Sequence, residues 1–130
     1  MSIKVYEKDK VFQLAYTAGW VGLQGTQINI QGIDFSFCPL WENDNLRIKI
    51  SEVDSGVLLF EFPIPHLIRR ILTIREDLIE YYEAEIVPII ELLIKENGIE
   101  KIQEEVEKAK KRMIKKFGDM PVIADVEVAE

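Results

Sequence analysis

Three potential cations crowd one short stretch of an otherwise acidic chain. His66, Arg69 and Arg70 follow Pro63-Ile64-Pro65, and no acid appears until Glu76. Guanidinium groups grip phosphate and carboxylate through a planar fork of donors, and histidine adds charge below about pH 6.5. If a helix begins near Pro65, its free amides reinforce the same attraction. Acidic or hydroxyl side chains normally occupy such a start, and cations there cost a few tenths of a kcal/mol each, roughly, unless an anion is present. The pattern points to a bound phosphate or carboxylate. The plainer alternative is that the arginines face water or pair with carboxylates on the sheet. Arg69 and Arg70 lie about 100° apart around a helix, so one ligand engages one of them.

Arg75 is the second oddity. It interrupts an apolar stripe, flanked by Ile71, Leu72, Leu78, Ile79 and Tyr82. An arginine in that position needs a partner. The candidates are a sheet carboxylate such as Glu61 or Asp34, a ligand pocket and a subunit interface. Trp20 and Trp41 stand beside turn signals, where an aromatic either stacks on a planar ligand or plugs the end of a core. Together these six residues describe a site for an anionic, nucleotide-like small molecule.

Catalytic signatures are missing. The chain has one histidine and one cysteine, Cys38, far apart in sequence. Zinc sites built from Cys and His need more ligands, and Gly19, Gly22 and Gly25 do not match nucleotide-binding glycine spacings. No residue set fills the roles of nucleophile, base and oxyanion donor. The reading is of a non-catalytic protein with neither metal nor cofactor.

The elements that must position these residues follow from apolar periodicity. With 130 residues and a net charge of −7, the chain has the size and composition of one globular domain. The charge disfavours nucleic acid and anionic membranes. No apolar run approaches the roughly 20 residues of a spanning helix. Residues 1–10 lack the apolar core of a signal peptide, and a lone cysteine suits a reducing compartment, so a cytoplasmic location is expected.

Residues 1–62 alternate as in an antiparallel sheet. Candidate strands are Val11–Thr17, Gln27–Gln31 and Ile33–Phe37, with Gly19, Gly22 and Gly25 marking turns or a bulge around Trp20-Val21. Cys38–Asn45 reads as a loop because of Pro39 and its Asn/Asp content. Leu46, Ile48 and Ile50 then alternate with polar residues, and Leu58, Phe60 and Phe62 return after a turn at Asp54-Ser55-Gly56.

After Pro65 the period becomes helical. Ile64, Leu67, Ile68, Ile71, Leu72, Leu78, Ile79, Tyr82, Ile86, Ile89, Ile90 and Leu93 predict one helix over 64–97, kinked at Pro88. Unbroken, it would run about 50 Å. A domain of this size is only roughly 35 Å across. Asn97-Gly98 ends it, and a second helix covers 99–117, with Glu104–Lys108 and Glu107–Lys111 as favourable pairs and a solvated basic run from Lys108 to Lys116. Residues 119–130 form an edge strand or a loose acidic tail.

The expected architecture is α+β: one domain over 1–130, with an antiparallel sheet of about five strands (1–62) covered by two C-terminal helices (63–118). Surplus apolar surface on the helices points to a homo-oligomer. Three functions fit: an oligomeric binding protein for an anionic small ligand, a protein-interaction module, such as an inhibitor or immunity-type protein, docking its acidic surface on a basic partner, or an enzyme of a type that no motif identifies.

Overall fold

The computed structural model describes residues 2–126. Seven antiparallel strands precede and flank the helices, so the class is α+β. The strands are β1 (Ile3–Val5), β2 (Lys10–Tyr16), β3 (Gly19–Ile30), β4 (Ile33–Glu42), β5 (Asn45–Glu52), β6 (Leu58–Ile64) and β7 (Ala124–Asp125). They pair in the order β6-β5-β4-β3-β2-β7, with β1 also on β3.

β3 organises the sheet. Its second half pairs with β1 and β4, while its first half pairs with β2. Pairing with β4 stops at Thr26↔Phe37, so β3 parts from β4 at Gly25. A side chain at Gly25 would run into the Phe37 carbonyl oxygen and come within 2.7 Å of Cys38 Sγ. The glycine is thus inside a strand and permits close approach, where the sequence suggested turns or a bulge. Past this point β2 and the first half of β3 lie over the face that carries Cys38. A small core of Phe12, Leu14, Cys38 and Val53 forms there, with Leu23 and Ile123 packed against it.

Cys38–Glu42 is strand rather than loop, paired with β5 from Cys38↔Lys49 to Glu42↔Asn45. Pro39 is tolerated because β3 has already left, so β4 is an edge at that point. Asn43 and Asp44 close the hairpin with φ of 49° and 64°, the left-handed angles of a tight two-residue turn that Asn and Asp accept readily. The β5–β6 hairpin turns where the sequence places it. Glu52 caps this turn: its carboxylate accepts from the Asp54 and Ser55 amides, both at 2.8 Å.

The opposite sheet face supplies the main core. Ile28, Ile30, Phe35, Phe37, Ile48 and Ile50 meet Tyr82, Ile86, Val87, Ile90 and Ile94. The single long helix does not exist. In its place stand α1 (His66–Arg69), α2 (Arg75–Tyr81), a π-helical turn at Tyr82–Ile86 and α3 (Val87–Asn97). The last helix, α4, spans Ile99–Phe117 as expected. Two causes divide the first. Ile74 is extended (φ −130°, ψ 163°), and Glu76 and Asp77 fall in the first turn of α2, where acids complement the dipole. Pro88 lacks an N–H and crowds the carbonyl four residues back, and the π turn before it takes up the mismatch. The mismatch between helix length and domain size disappears with the break.

The tail contributes β7, paired with β2 through Lys10↔Asp125 and Val11↔Ala124. The rest of the expected tail, 127–130, lies outside the described residues.

Candidate functional site

The six residues singled out by type and spacing do not converge. Arg69 and Trp41 do meet: the guanidinium lies 4.8 Å from the indole centroid, and Nη1 donates to the Asp44 carbonyl at 2.6 Å. The left-handed turn at Asn43-Asp44 presents that carbonyl to α1. His66 and Arg70 are exposed beside this pair. The cationic start of a long helix is not there. α1 is a single turn, too short for an appreciable dipole, and the true helix start at Arg75 has its acids in place.

Arg75 is structural. Its Nε donates to Asp9 Oδ1 at 3.0 Å and Nη2 to the Tyr6 carbonyl at 2.9 Å. Neither Glu61 nor Asp34 is the partner. Glu61 pairs with Lys49 and with Arg47, while Asp34 accepts from Asn29. Trp20 is a plug at the far end of the sheet. Its Nε1 donates to the Gly118 carbonyl at 3.3 Å, and its ring meets Phe117 edge-on with centroids 6.0 Å apart.

Trp41 and several residues that flank Arg69 in sequence are apolar and open. Trp41 is 60% exposed, Leu67 77%, Ile71 65% and Ile74 56%. The sequence reading put Leu67 and Ile71 on the core-facing stripe. With the helix broken after α1, Ile68 and Leu72 keep the core and Leu67, Ile71 and Ile74 turn outward. Ile74 continues the same stripe, three residues after Ile71 and seven after Leu67, so periodicity carried no signal of the break.

No known family model, curated protein or solved structure matches this chain.

Other chemistry-bearing groups are engaged or buried. Burial pushes the Cys38 thiol up to about 12, so it is protonated and enclosed. Lys49 is almost wholly buried between Glu61, Glu42 and the Tyr16 ring. Burial pulls its ammonium down, but hydrogen bonds to Glu61 and Tyr16 prevail and hold it above its ordinary value. The Lys49 hydrogen bond holds Glu61 below the usual carboxylate range. The basic run on α4 is largely exposed, and the ion pair present there is Glu105–Lys108 at 3.7 Å. Among the described residues no group of His, Cys, Asp and Glu is placed to hold a metal ion. No described helix is long and apolar enough to cross a membrane.

Proposed function

We propose that this chain is a non-catalytic protein-docking module. Its contact surface is α1 with the segment after it, the β4–β5 turn and Trp41. Its occupant is an acidic segment of a partner protein that also carries apolar side chains. The observation that supports this reading is the exposure of Trp41, on which the Arg69 guanidinium lies, together with that of Leu67, Ile71 and Ile74 in and just after α1. Large apolar residues exposed together mark contact surfaces, and Trp and Arg dominate the energy of such contacts.

Charge selects the partner. Residues 62–75 contain His66, Arg69, Arg70 and Arg75 and no acid, in a chain of 23 Asp and Glu. The anion chemistry expected at His66, Arg69 and Arg70 is retained, with polypeptide carboxylates in place of a small nucleotide-like ligand. Arg69 already covers the Trp41 ring, which works against a stacked base.

A short synthetic peptide alternating Glu with Leu and Phe tests the reading. It should bind in a salt-sensitive manner, and Trp41→Ala should weaken it at least about tenfold. Nucleoside phosphates should not compete. A nucleotide that raises the melting temperature, with no peptide binding, would restore the small-ligand reading.

Self-association through the helices is a second reading. It is favoured by exposed Ile89 and Leu92 on α3 and Ile114 on α4. Light scattering that gives one chain mass, 15.1 kDa, would refute it.

A further inference from the structure

We infer a second binding site, independent of the docking surface: a cleft between the β5–β6 turn and the α3–α4 pair that takes an elongated apolar molecule bearing one carboxylate. The cleft holds about 370 Å³, within the roughly 300–1,000 Å³ of small-molecule sites. Its buried wall is Phe35, Ile90, Ile94 and Ala109, while Leu59 and Leu93 are left exposed beside them. An apolar chain lying here would cover both leucines.

The charge facing the cleft is settled by its pairings. Glu52 lines it; its carboxylate is held in the turn by the Asp54 and Ser55 amides, but no ion pair among the described residues offsets its charge. Glu105 lines it and is drawn to Lys108 on the same helix. Lys101 and Arg112 also line it, and neither forms an ion pair among the described residues. With Glu105 offset by Lys108, Lys101 and Arg112 face the one carboxylate of Glu52, so the balance is positive by one charge, which suits an anionic head.

Helix geometry separates the two cations. Eleven residues along α4 return to the same face, about 20° apart, at a distance of roughly 16 Å. One head group therefore meets one cation, and the apolar chain runs along the cleft away from it. Arg112 is the better match, because its planar fork binds a carboxylate through two parallel bonds. Lys101 then lies towards the tail.

Calorimetric titration of the intact chain with decanoate, below its micellar range, tests the assignment. Decanol and decyltrimethylammonium serve as neutral and cationic counterparts. Decanoate should bind at least tenfold more tightly than either. Arg112→Gln should cost at least tenfold for decanoate and leave decanol unchanged, while Lys101→Gln should change decanoate binding less than threefold. Both residues are exposed, so the fold should survive, and the melting curve of each variant checks this. Val106→Trp, which places a large side chain at the cleft, should reduce binding of decanoate and decanol alike. The proposal is overturned if decanoate does not bind, if all three compounds bind equally, or if Arg112→Gln keeps full decanoate affinity.

Discussion

Arg75 reaches back across 66 residues of sequence to Asp9, with Nε 3.0 Å from the carboxylate. The same Asp9 oxygen accepts from the Thr26 hydroxyl at 2.9 Å, and the Asp9 carbonyl accepts from the Val126 amide at 3.0 Å. One short connection between β1 and β2 thus ties together β3, the start of α2 and the strand after α4.

Asp9→Ala should destabilise the fold by about 1–2 kcal/mol, because it leaves the guanidinium and the Thr26 hydroxyl without their acceptor. The side chains of Arg75 and Asp9 remain 34% and 26% exposed, which keeps the loss below that of a fully buried pair. Urea denaturation of the two proteins measures it. A double variant with Arg75→Met should lose less than the sum of the single losses, as expected for partners in one network.

Glu61 links stability to acid. Its folded value lies below the ordinary 4.5 because Lys49 donates to it. The unfolded chain therefore takes up this proton first as pH falls. The pair's contribution is full above about pH 4.5 and disappears as pH drops through the lower folded value. Glu61→Gln should cost about 1–2 kcal/mol at neutral pH. Its deficit against the parent should shrink steadily below pH 4.5. Glu52 acts in the opposite sense: burial raises its carboxyl, so acid relieves a penalty at that position. Melting curves of Glu61→Gln and the parent across the acid range separate the two, since Glu52 is common to both.

Gly25→Ala should cost about 3 kcal/mol, because the added carbon meets the Phe37 backbone, which cannot swing away, and the buried Cys38 Sγ. At Gly22 the nearest atom is the tip of Val11, at 3.1 Å, so Gly22→Ala should be nearly neutral. Chemical denaturation of the pair gives the contrast. Similar losses at both positions would mean that β3 does not approach β4 as described.

Cys38 should resist alkylation in the native protein. Its thiol is fully enclosed and pushed up to about 12, so thiolate is scarce at pH 8. Mass spectrometry after iodoacetamide should show an unmodified chain in buffer and complete single labelling in denaturant. Rapid native labelling would mean that the small β2–β3 layer opens readily over β4.

Alternation and turn chemistry sufficed for the sheet face and the β5–β6 hairpin. Ile48 and Ile50 on one strand and Phe60 and Phe62 on the next point the same way because strand side chains alternate with period two, whatever the partner. The expected helix end at Asn97-Gly98 and the span of α4 were equally local, set by a left-handed glycine and an apolar stripe. What local pattern could not decide was where one element ends because another is present. Pro39 lies in a strand because β3 turns away at Gly25. The helix breaks after α1 while Asp9, distant in sequence, holds Arg75 at the start of α2. Leu67, Ile71 and Ile74 carry the same apolar signal whether they face a core or the solvent. Periodicity records that a side chain is apolar; only packed neighbours decide which of too many apolar residues are covered, and so where a surface for a partner is left.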